Sequence, residues 1–168
     1  MSTVIAAQPV EVVDVFSAQR HLPSGATQQL DDCHLEKWGL SLKCPTPQDP
    51  AHDSEITWLL PELGVRLTQY RPRSRHARRE GSLVTAARIE PNTRSWTTTD
   101  LLLGLEIPEG GTTRVIHSED FAAAVSGGAI RLSEADYALR TVLRTFDEIR
   151  LHRDLNQWLA HRGVFEPW

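Results

Sequence analysis

Between Ser95 and Val125 the chain reads SWTTTDLLLGLEIPEGGTTRVIHSEDFAAAV, and few side chains in it can do acid–base or metal chemistry. Asp100 and Glu106 are the only carboxylates from Arg94 to Pro108, and His117 and Asp120 follow beyond a glycine turn. Two aspartates and a histidine can pass a proton or offer oxygen and imidazole nitrogen to one divalent cation. As a metal-free set, Asp100 and His117 form an acid–base or hydrogen-bonding pair with Asp120 beside them. Arg88 would then hold a substrate carbonyl or carboxylate. Each residue also has a structural reading. Asp100 is suited to accept backbone N–H groups at a bulge, His117 to lie on the surface before a helix, and Asp120 to favour the positive end of that helix.

These residues need strands and a helix start to position them. Arg94 to Ile107 reads as the longest strand, Pro108-Glu109-Gly110-Gly111 as a turn, and Thr112 to Ile116 as the returning strand of a hairpin. Ser118 reads as an N-cap, with a short helix ending at Gly127-Gly128. Ser133 then caps a long helix, in which Leu139, Val142, Leu143, Phe146 and Ile149 form an apolar stripe expected to pack on the sheet. Earlier strands are expected at Val10–Phe16, Lys37–Cys44, Ile56–Leu60, Val65–Arg71 and Leu83–Ile89. The intervening CPTPQDPAHDS is a prolyl loop that borders a pocket. Strands followed by helices imply an α+β fold: an antiparallel β-barrel or strongly curled sheet, then a short helix and a long C-terminal helix. One domain over residues 1–168 is expected, with strands over about 10–117 and helices over about 118–162.

The order long strand, glycine turn, short strand, acidic helix start, short helix, glycine and long helix, in WTTTDLLLGLEIPEGGTTRVIHSEDFAAAVSGGAIRLSEADYALRTVLRTF, resembles the FomD-like nucleoside-diphosphatase family, also catalogued as a domain of unknown function. The resemblance covers roughly Gly64 to Pro167. It implies an antiparallel barrel with C-terminal helices and hydrolysis of nucleoside diphosphates or nucleotidyl-phosphonates with divalent metal ions. It also implies ligands from an Asn on one strand, an Asp-x-Asp-x-Asp row on the next and an Asp-x-x-Glu at the short helix. Aspartates at spacing two would make a row of hard oxygen ligands on one strand face. Here the row reads Asp100, Leu102, Gly104, the helix pair reads His117 and Asp120, and the Asn position falls on or near Arg88. An arginine is no ligand and repels a cation, so a two-metal phosphatase is not expected and no metal or other cofactor is assigned.

By the period of two, the face bearing Asp100 also carries Trp96, Thr98, Leu102, Gly104 and Glu106, a largely apolar set. With Trp58 and Tyr70 as aromatic walls, Trp96 and Leu102 would line a cavity for an apolar molecule. The leading expectation is therefore a metal-independent biosynthetic enzyme of cyclase or cycloaddition type in a natural-product pathway, acting on an apolar intermediate by orientation and hydrogen bonding. The alternatives are a divalent-metal phosphohydrolase and a non-catalytic module that binds a small molecule or partner.

Composition narrows the partners. A formal charge of −4 opposes general nucleic-acid binding. Arg71, Arg73, Arg75, Arg78 and Arg79 with His76 read as a solvated loop able to dock an acidic partner, without aromatics for base stacking. Cys33 and Cys44 are too few and too far apart for a disulfide scaffold or a CxxC site, so reduced thiols in the cytoplasm are expected. MSTVIAAQPVEVVDVF lacks the basic start of a signal peptide, and no membrane span is expected. The long-helix region through Trp158 leaves room for a homodimer. No GxSxG, P-loop, GxGxxG or HExxH motif occurs.

Overall fold

The computed structural model describes residues 8–78 and 80–165, so Arg79 and the first residues of the N-terminal stretch lie outside the described residues. Ten strands come first: β1 (Val10–Asp14), β2 (Gln19–His21), β3 (Thr27–Gln29), β4 (Asp32–Glu36), β5 (Gly39–Pro45), β6 (His52–Leu60), β7 (Val65–Pro72), β8 (Ser82–Pro91), β9 (Ser95–Ile107) and β10 (Arg114–Ile116). Helices α1 (Ser118–Ser126), α2 (Leu132–Leu151) and α3 (Leu155–His161) follow. Among the described residues no helix is long and apolar enough to cross a membrane.

All strand pairings are antiparallel, in the order β3-β2-β1-β9-β8-β7-β6-β5-β4. The long β9 has β8 along one edge, with β1 and then β10 along the other. The edge strands β3 and β4 are consecutive in the chain, so Gln29 and Asp32 lie within about 11 Å of each other. This tether forces the sheet to curl, yet among the described residues no ladder joins β3 to β4, and of the two forms expected from the sequence, barrel or strongly curled sheet, the structure is the open, curled sheet. β2, β3 and β4 fall between the expected strands Val10–Phe16 and Lys37–Cys44, where residues such as Arg20 and Gln28 stand in place of an apolar alternation.

Two cores result from the curl. On the outer face Trp58, Leu60, Leu67, Val84, Leu101, Leu103 and Leu105 meet Phe121 of α1, Ala138, Val142 and Ile149 of α2, and Trp158 of α3. On the inner face Val13, Leu40, Leu42, Cys44, Leu59 and Trp96 pack together. Gly64 takes φ 66 in the β6–β7 turn, and a Cβ there would lie 2.0 Å from the Tyr137 hydroxyl of α2, so only glycine admits this approach of helix to sheet.

The helix starts and the helix stripe differ from expectation. His117, in a left-handed conformation (φ 61), precedes α1, Arg131 precedes α2, and neither Ser118 nor Ser133 is the cap residue. The sheet-facing side of α2 is small and partly polar: Ala135, Ala138, Thr141, Val142, Thr145 and Ile149 are buried. Leu139 and Leu143 stay exposed, because small residues let the helix lie close to the sheet and rotate that pair away from it.

Candidate functional site

The bulge in β9 decides the fate of Asp100. Thr85 pairs with Gly104 and Ala87 with Asp100, so one residue of β8 stands opposite three of β9, Leu101 to Leu103. Leu102 takes φ 70, and the Oδ1 of Asp100 accepts its N–H at 2.7 Å. Leu101, Leu102 and Leu103 all pack on the outer core, so Leu102 does not line an inner cavity as simple alternation predicts. Gly104 is fixed by proximity, since a Cβ there would lie 2.6 Å from the Val84 carbonyl oxygen.

The other expected site residues are dispersed. Arg88 pairs in register with Thr99, and so points to the face opposite Asp100, where it forms an ion pair with Glu134 of α2. Glu134 is held below the usual carboxylate range by a hydrogen bond from Gln8, followed by those of Arg131 and Arg88. His117 Nδ1 and Asp120 Oδ2 are 3.8 Å apart on the surface. Trp96 is buried in the inner core. Trp58 is buried on the outer face beneath the helices, so it is not a wall of any inner cavity. Tyr70 alone of the eight lines a cavity that opens at the sheet's mouth.

A divalent metal, which the sequence resemblance implies, does not fit these residues. Asp100 spends an oxygen on the backbone of its bulge, Arg88 is engaged by α2, and among the described residues no three His, Cys, Asp or Glu side chains are placed to hold a metal ion. The thiols are no nucleophiles at neutral pH. Burial first, and the charge of Asp32 second, push Cys33 up to about 11, and burial raises Cys44 as well.

Inside the curl lies a group that the sequence reading missed. Glu11 of β1, Arg20 of β2, Glu55 of β6 and Arg66 of β7 form a ring of alternating charge. Arg20 bridges Glu11 and Glu55 at 3.0 Å each, and Arg66 reaches them at 3.4 and 3.5 Å. Burial works against the charge on Arg20, but Glu11 and Glu55 more than offset it and raise its pKa. The ring ties the two halves of the curled sheet together. Its sequence signal is a glutamate set among apolar residues in VEVV and in SEITW.

At the mouth, Tyr70, Leu83 and Glu106 from neighbouring strands form one wall of a cavity of about 540 Å³, with Arg78, Glu80 and the β9–β10 turn at its rim. Burial and then the charge of Glu55 raise the Tyr70 phenol, which keeps its proton and is a donor. Behind it the rings of His52 and Tyr70 meet at a tilt of 46°, with centroids 5.3 Å apart. Asp49 Oδ1 accepts the N–H groups of Ala51 and His52, and its Oδ2 meets His52 Nδ1 at 2.7 Å. On the other side His52 Nε2 faces Glu80 Oε2 at 3.2 Å. The Asp49 hydrogen bond raises the His52 pKa against the opposing effect of burial, with the charges of Asp49 and Glu80 adding to it. The sequence marks this site only as a prolyl loop, in which Asp49-Pro-Ala-His52 has the spacing for an aspartate to bond both turn and imidazole.

Arg73 also belongs to this architecture. It donates to the backbone carbonyls of Asp49 and Thr46 at 2.8 Å each, so one arginine of the basic run anchors the prolyl loop.

No protein-family profile and no curated protein matches the chain. Among solved structures, the chain is similar to a protein of unknown function, DUF402, from Rhodococcus sp. RHA1, with TM-score 0.87 and 26% identity over 96% of this chain and 98% of that one. It is also similar in fold to FomD, in a complex with CDP, with TM-score 0.65 and 14% identity over 84% of each chain. The chain thus resembles the FomD-like and DUF402 proteins along most of its length, and has their α+β architecture of a curled antiparallel sheet with C-terminal helices.

Proposed function

We propose that the protein is a metal-independent catalyst of proton transfer on a small polar molecule held at the mouth of the curled sheet. The observation that carries this reading is the Asp49–His52 pair. Two backbone N–H groups fix Asp49, Asp49 fixes His52, and the remaining ring nitrogen faces Glu80 on the cavity rim. A base held by an orienting carboxylate, with its second nitrogen covered by one glutamate of a cavity rim, is suited to general acid–base catalysis.

Glu80 is 63% exposed, so a ligand can take its place at Nε2, and the Tyr70 hydroxyl supplies a second donor. Ring closure of a carbonyl-bearing intermediate is one reaction that such a pair serves, which keeps the cyclase reading within the proposal. Glutamates at 80, 106 and 109 and Arg78 make the rim polar, and favour a substrate with hydrogen-bonding groups over a purely apolar one. FomD is seen with CDP, so a nucleotide is the natural competitor.

The test is ring-resonance NMR of His52 and Tyr70 against carbonyl-bearing small molecules and CDP, followed by product analysis for any binder. Shifts at both rings, with turnover lowered about 10²–10⁴-fold by His52→Gln, support the proposal. Binding without turnover makes the protein a binding module. Phosphate release from nucleoside diphosphates that depends on Mg²⁺, Mn²⁺ or Co²⁺ overturns the metal-free reading.

A further inference from the structure

The solvent side of α2 carries an apolar seam that the other described residues leave exposed. Leu132, Leu139 and Leu143 are 80%, 45% and 59% exposed, and Phe146 is only partly buried against the core. With Asp136 and Arg150, these residues occupy 132, 136, 139, 143, 146 and 150, alternating steps of four and three. That spacing keeps one stripe facing a partner helix. A helix that serves only its own sheet has no use for it, since the buried side of α2 is already supplied by Ala135, Ala138, Thr141, Val142, Thr145 and Ile149.

The charges in the seam specify the partner. Asp136 and Arg150 lie seven residues before and seven after Leu143, about 10 Å along the axis on either side. When two copies of α2 run antiparallel about a two-fold axis at Leu143, each Asp136 meets the other copy's Arg150. Two identical ion pairs then flank a leucine–leucine contact. A parallel arrangement sets aspartate on aspartate and arginine on arginine. The seam is therefore complementary to itself in one orientation only, as a two-fold interface requires.

We propose that this face is a homodimer interface in which α2 packs antiparallel on α2 of a second copy, centred on Leu143. Asp136 now engages Arg140 one turn away at 2.9 Å, in a pair whose side chains are 64% and 80% exposed, so its release costs little. Arg150 leans over the Phe146 ring, 5.8 Å from its centre, which brings the guanidinium to the seam.

Sedimentation equilibrium on the full chain tests the proposal. The expected result is a reversible dimer, with a dissociation constant at least about tenfold weaker in Leu143→Glu, which sets two carboxylates on the axis. Asp136→Arg and Arg150→Asp should each weaken the dimer. Mixed in equal amounts they should pair with each other, because one chain then carries two cations in the seam and the other two anions. Circular dichroism of each variant separates a loss of pairing from a loss of fold. A wild-type protein that stays monomeric overturns the proposal, as does a dimer that Leu143→Glu leaves intact or single charge variants that fail to pair on mixing.

Discussion

The carboxylate of Asp100 accepts the N–H of Leu102 at 2.7 Å, two residues along its own strand, and so holds a leucine at φ 70. A non-glycine residue in that region is strained and persists only where its surroundings hold it there. The aspartate that opens the apparent metal row is thus a clamp on a bulge.

Asp100→Ala should destabilise the fold by about 1–3 kcal/mol, the cost of taking a charged acceptor from the half-buried N–H of Leu102. Asp100→Asn keeps an acceptor oxygen and should cost less than Ala. Urea unfolding compares them. Equal losses in the two variants would show that the hydrogen bond to Leu102 contributes nothing.

Neither His117→Ala nor Asp120→Ala should change stability by more than about 0.5 kcal/mol, since both side chains are exposed. Millimolar Mg²⁺ or Mn²⁺ should leave the melting temperature unmoved in wild type and variants alike. A cation-induced rise in Tm that these substitutions abolish would restore the metal site.

The His52–Asp49 pair sets a pH window. The His52 pKa is raised, so the stability it contributes is full below the ordinary histidine value of about 6.5 and is lost as pH rises through the raised value. The His52 hydrogen bond, and then the Ala51 N–H, lower the Asp49 pKa. Its contribution is present above the ordinary value of about 3.9 and is lost as pH falls through the lowered one. In an NMR titration Asp49→Asn should move the His52 midpoint down; an unchanged midpoint would remove Asp49 as the orienting residue.

Breaking the charge ring should be the costliest single change. Arg20→Met leaves Glu11, 5% exposed at its side chain, without its closest cation, and should lose about 3–5 kcal/mol in denaturant unfolding. Replacing all four charges by apolar residues of similar volume should recover most of this loss. A single variant near wild-type stability would mean that the ring is well solvated.

The long strands, the hairpin at Pro108–Gly111 and the presence of a short and a long helix were legible in the sequence, because alternation, turn chemistry and helical spacing are local. The strands β2 and β3 were not, since QRH and TQQ carry no apolar alternation, and they form as hairpins on β1 and on β2 in turn. Of the expected site residues, Tyr70 was found at a cavity, whereas Trp58 faces the wrong side of its strand for one.

The sequence by itself determined the class of fold and the loss of the carboxylate row, for both follow from residue identity at fixed spacing. Tertiary structure decided where chemistry can occur. A two-residue bulge breaks the alternation that would align Asp100 with Leu102, and opposite strand faces separate Arg88 from Asp100. Curling of the sheet closes Glu11, Arg20, Glu55 and Arg66 into one ring, and the β6–β7 ladder sets His52 behind Tyr70. The Arg20–Glu55 and Arg66–Glu11 contacts join residues tens of positions apart, and no local period records which faces a curled sheet brings together.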